Sequence, residues 1–170
     1  MQHTSAVRLA VLVTYLALSL YILGCFALEH DVNYPTWHHV APGDFSGFHQ
    51  ALQRGLVYVL FLPLALQVLA GVALVWLRPR WLPRKLVVPA VLLNVYVVVE
   101  SLLVQVPMQR VLRHAKTGEL VDRLIETHRL YRLPGELAGA AFVVLILLCV
   151  VRRADRSAAD DVQRSRVQAR

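Results

Sequence analysis

"GLVYVLFLPLALQVLAGVALVWL", Gly55 to Leu77, contains no charged residue. A helix needs about 20 apolar residues to cross about 30 Å of hydrocarbon, and in lipid the backbone must satisfy its own polar groups. The stretch therefore reads as a membrane span, and three more segments resemble it. Leu9 to Leu28 is charge-free, Leu86 to Val106 carries only Glu100, and Leu133 to Val151 carries only Glu136. Composition agrees: 57% of the 170 residues are hydrophobic and 17% charged, where a soluble domain has about a quarter charged. The expected fold is all-α, an integral membrane four-helix bundle with spans at about 8–28, 55–77, 86–107 and 133–152.

The first span superficially resembles a secretory signal, and "ILGC" (Ile22 to Cys25) a lipoprotein cleavage site. Its apolar run exceeds the usual 7–15 residues of a signal core, so it is read as a retained span. Residues 1–152 then form one membrane domain and 153–170 a polar, frayed cytoplasmic tail. Lys and Arg placement sets the orientation. With both termini and the "RPRWLPRK" connection (Arg78 to Lys85) cytoplasmic, 11 bases lie inside and 7 outside. The expected location is the inner or plasma membrane. Cys25 and Cys149 fall at opposite ends of the bundle, so no disulfide is expected.

On the outer side the helices outrun the bilayer. Asp44 or Ser46 is a candidate N-cap for a second helix reaching Leu77, interrupted only by Pro63. The third helix continues past Pro107. After "KTGE", Leu120, Val121, Leu124, Ile125 and His128 are spaced as one helical face leading into span four, with a kink expected at Pro134. Helices two to four should thus extend beyond the outer leaflet. The segment between spans one and two, with His30, Tyr34, Trp37, His38 and His39, should form a loop lid.

Glu100 is the strongest chemical signal. It lies about 21 Å from the inner end of its span, and an ionisable residue there faces a bundle interior, a cavity or a partner. It is the candidate general base, with His49 and His128 as proton partners. Tyr96, Gln109, Arg110, Arg129 and Trp37 are candidate substrate contacts. Should a metal bind, His49, Glu100 and His114 would supply a nitrogen–oxygen set, although no H-E-x-x-H or C-x-x-C spacing supports one. Arg132 and Glu136 are spaced as an i,i+4 pair. Gly135 and Gly139, four apart, allow close helix approach.

"YPTWHHV", "DFSGFH", "VPMQRVL" and "LIETHRLYR" resemble blocks of small bacterial four-span proteins distantly similar to the anthrone-oxygenase-like membrane family. The resemblance implies cofactor-independent or metal-assisted oxidation of a hydrophobic aromatic. Here Arg129 and Tyr131 come after the Thr127–His128 pair, and Arg132 stands one position later than the family's basic residue. The functional expectation is a polar His/Glu/Arg cavity near the outer leaflet that binds, and oxidises or isomerises, a lipophilic small molecule. Alternatives are a metal- or haem-binding redox protein, and a non-catalytic subunit or scaffold associating through the Gly135/Gly139 face. The expected partners are bilayer lipid, the small molecule and a second copy of the chain; nothing points to nucleic acid.

Overall fold

The computed structural model describes Gln2–Gln168, without the side chains of residues 2–4, 161, 162, 166 and 167. The described residues form a four-helix bundle with no strands. Four helices, α1 (Ser5–His39), α2 (Pro42–Leu77), α3 (Arg84–His114) and α4 (Gly118–Ser165), are long and apolar enough to cross a membrane.

The segment expected to be a loop lid is instead the continuation of α1. Its backbone stays helical through His39, and only Val40 and Ala41 separate it from α2. Nor do Asp44 and Ser46 cap α2. The helix starts at Pro42, with Ala41 as an extended N-cap whose side chain makes no capping bond. Proline suits that first position because its missing N–H would find no intrahelical partner there. Thr117 caps α4 by accepting a hydrogen bond from the Leu120 amide at 3.2 Å. The tail, expected to be frayed, continues α4 to Gln168.

Each helix contains one π turn: Glu29–Asn33 in α1, Val57–Phe61 in α2, Ser101–Gln105 in α3 and His128–Arg132 in α4. Two residues beyond each turn stands a proline: Pro35, Pro63, Pro107 and Pro134. Proline cannot donate to the carbonyl four residues back and its ring crowds that oxygen, so the helix widens there by one residue. The carbonyl released by Pro63 belongs to Val59, and Tyr21 Oη donates to it at 2.8 Å. The kink expected at Pro134 is thus resolved as a π turn.

Three cores stack along the bundle. At the tail end Leu12, Tyr15, Leu74, Val87 and Ile146 pack together. Ile22, Phe26, Leu60, Leu64 and Val97 form the middle. Tyr34, Trp37, Phe45, Leu112, Val121 and Leu124 form a cap at the other end. The Gly135/Gly139 face serves the fold itself. A Cβ on Gly135 would lie 2.7 Å from the Tyr96 ring, and one on Gly139 would touch Asn94 and Leu93, so both glycines seat α4 against α3.

Candidate functional site

The four π turns converge on one small chamber between the middle core and the cap. The α1 turn supplies Glu29, the α2 turn Leu60 and Phe61, the α3 turn Ser101 and Gln105, and the α4 turn Arg132; Tyr34 and Gln109 also line it. Its water-accessible space is about 30 Å³, room for one or two waters.

Arg132 is the centre of the polar network, and its side chain is only 4% exposed. Its Nε lies 3.1 Å from Glu136 Oε1, so the i,i+4 spacing does produce the expected pair. The same Nε donates to His128 Nδ1 at 2.8 Å. An arginine only donates, so Nδ1 carries a lone pair and the proton of the neutral imidazole sits on Nε2. His128 stacks on His30 with ring centroids 3.9 Å apart. The guanidinium lies over the Phe26 ring at 4.9 Å, a cation–π contact. Glu100 acts electrostatically on both Arg132 and Glu136. Gln105 Nε2 donates to Glu100 Oε1 at 2.8 Å, while Oε2 has no partner.

A second polar chain runs from the cap to this centre. Gln53 Nε2 donates to Gln109 Oε1 at 2.6 Å, and Gln109 Nε2 to Tyr34 Oη at 3.1 Å. Asn33 Nδ2 donates to Glu29 Oε2 at 2.6 Å. Several buried polar atoms remain unused by the protein, among them Arg132 Nη2, Glu100 Oε2, Gln105 Oε1, Ser101 Oγ and His128 Nε2. A buried polar group without a partner costs about 1–3 kcal/mol, so such a concentration marks a place where water or a ligand completes the bonding.

Of the residues expected from sequence, Glu100, Gln109 and His128 are buried in this network. His49 and Trp37 are buried too, but in the cap, with ring centroids 5.3 Å apart. Three candidate contacts lie elsewhere. Arg110 and Arg129 are exposed on the outer helix faces, and Arg132 takes the internal position instead. Tyr96 is half-exposed against α4, where its hydroxyl donates to the Tyr131 carbonyl at 2.8 Å. The metal set does not assemble: His114 is exposed, and the described residues contain no group of three His, Cys, Asp or Glu side chains that would hold an ion. Helical periodicity missed Glu29, because the apolar run ends at Leu28 and the residue reads as interfacial.

A longer groove adjoins the chamber between α1 and α4, lined by Ser19, Leu20, Phe26, Gln67, Asn94 and Glu136 among others. Its polar floor is internally bonded: Gln67 donates to Ser19 Oγ at 3.0 Å and Asn94 to Tyr15 Oη at 3.0 Å. No family model, curated protein or solved structure matches the chain.

Proposed function

We propose that this protein binds a lipophilic small molecule at the Glu100–Arg132–Glu136 centre, within a multi-pass membrane bundle whose termini are cytoplasmic and whose cap faces outward. The carrying observation is one buried guanidinium paired with Glu136, with the buried carboxyl of Glu100 on α3, and unused donors and acceptors at the level where all four helices widen. Such an arrangement is costly in a membrane interior, which favours a functional role over a purely structural one.

In this reading the Arg132 Nη2–H and the His128 Nε2–H hold an oxygen of the ligand. A carboxylate of the centre accepts a proton from it, and Arg132 stabilises the negative charge that develops. The same parts would serve isomerisation by proton transfer, or the deprotonation that precedes oxidation by molecular oxygen. Tyr34, Gln109 and Gln53 carry hydrogen bonding from the centre toward the cap.

Native mass spectrometry of the protein, purified in mild detergent from a bacterial host, tests this directly. The expected result is a discrete extra mass of a lipophilic molecule in the wild type, absent in Glu100→Gln. That substitution keeps the side-chain volume and removes the carboxyl whose Oε2 has no partner within the protein. An unchanged extra mass in a folded Glu100→Gln sample would sink the reading.

A further inference from the structure

The polar chamber is too small for an organic ligand, since its 30 Å³ admits one or two waters. The body of any molecule bound at Arg132 must therefore lie elsewhere. The groove between α1 and α4 is the larger space: it holds about 70 Å³ of water-accessible volume and is open along its mouth, where a ligand's apolar chain can continue outside the protein. The two spaces share the walls Phe26 and Leu64. They also meet at the ion pair, because Glu136 lines the groove and Arg132, 3.1 Å away, lines the chamber.

The mouth faces lipid. Leu20 and Val144 on its rim are 50% and 51% exposed, and both lie within apolar segments. The capped end is closed to water by Tyr34, Trp37, Phe45, Leu112, Val121 and Leu124, each fully buried. A molecule reaching Glu136 thus comes sideways out of the bilayer.

The charge of the site restricts the head of that molecule. Arg132 is already paired with Glu136 at 3.1 Å, so the centre offers no unpaired cation to an anionic head. An ammonium head would abut the guanidinium and leave the Nη2–H without an acceptor. A hydroxyl both accepts from Nη2–H and donates to a carboxylate. We infer that the α1–α4 groove is the seat of a membrane-resident lipophile with an uncharged hydroxyl head, entering from lipid past Leu20 and Val144 and stopping at the Arg132–Glu136 pair. This rests on the binding function proposed above and adds the ligand's seat, route and head-group class.

Tritiated 1-dodecanol and dodecanoate, identical in chain length, serve as probes with the full chain in phospholipid nanodiscs at pH 8, after subtraction of empty discs. The wild type should retain dodecanol saturably, one per chain, and dodecanoate at least tenfold more weakly. Val144→Trp, which plugs the mouth from a lipid-facing position, should lower dodecanol retention about tenfold. Ala140→Trp is the second plug should Val144→Trp not fold. Leu92→Trp, on a lipid-facing α3 position away from the groove, should retain dodecanol as the wild type does. Absence of saturable dodecanol binding, equal binding of dodecanoate, or full retention in both plugged variants overturns the inference. Loss of binding in Glu100→Gln with full retention in the plugged variants would remove the groove and leave the proposed centre standing. Loss in the plugged variants alone would keep the groove and remove Glu100.

Discussion

Glu100 and Gln105 are five residues apart on one helix, yet Gln105 Nε2 donates to Glu100 Oε1 at 2.8 Å. In a regular α-helix a separation of five turns two side chains about 140° apart. The π turn at Ser101–Gln105 closes that angle, and Pro107 supplies the reason for the turn. The site is therefore built by a break in helical periodicity, repeated once in every helix.

That relationship makes Pro107 a site residue without any contact chemistry of its own. Replacement by Ala restores an amide able to bond the Leu103 carbonyl and favours a regular helix through the turn. Pro107→Ala should leave thermal stability in detergent unchanged or slightly raised while abolishing retention of the bound lipophile. Native mass spectrometry beside a melting curve reads both, and undiminished retention would contradict the role assigned to the π turn.

The Arg132–Glu136 pair gives a second test. Removing one member of a buried pair leaves an uncompensated charge and costs about 3–5 kcal/mol, whereas replacing both with apolar groups is often neutral. Arg132→Met should unfold at markedly lower temperature, and Arg132→Met with Glu136→Leu should recover most of the loss without recovering binding. A single variant as stable as the wild type would show that the pair is not buried as described.

Packing of α3 on α4 depends on Gly135. A methyl group there would approach the Tyr96 ring to 2.7 Å, so the ring must move. Overpacking of this kind costs about 1–3 kcal/mol. Gly135→Ala should be destabilised by that amount in unfolding measurements, and Tyr96→Leu in the same chain should relieve it. Failure of the second change to restore stability would place the strain elsewhere.

Trp37 is fully buried in the cap between Tyr34, Phe45 and His49, at ring-centroid distances of 4.9, 5.5 and 5.3 Å. Truncating such a residue costs about 3–5 kcal/mol. Trp37→Ala should speed hydrogen exchange in residues 34–45 while the apolar spans stay protected. Exchange unchanged in that segment would mean that the cap is held by other contacts, such as Lys116 Nζ donating to the Val40 carbonyl.

The candidate site was only partly legible before folding. Glu100 was visible because a lone acid in a charge-free run is costly wherever it points. Arg132 and Glu136 were legible as a pair from their spacing, but their position at the centre was not. Spacing places two residues on one face without saying which neighbour that face meets. Arg110 and Arg129 carry the same charge as Arg132 and differ from it in facing outward. Glu29 was obscured because the apolar run ends at Leu28, and Gln105 by its π turn, since an inserted residue rotates the remainder of the helix by about 100° and breaks a count based on 3.6.

Four helices, their apolar spans and the turn at Thr117 are set by the sequence alone, because hydrocarbon requires continuous apolar residues and a self-bonded backbone whatever the neighbours do. Pro63, Pro107 and Pro134 are equally plain within their helices, whereas Pro35 reads as part of a loop. Only the tertiary structure decided that the interruptions meet at one level and that the histidine-rich segment is helix rather than loop. It also decided that Arg132, rather than Arg110 or Arg129, turns inward to pair with Glu136. Those outcomes depend on the relative height and rotation of four helices, set by close contacts such as Gly135 on Tyr96 and Tyr21 on Val59. No local pattern carries that information, because it resides in pairs of residues far apart in the chain.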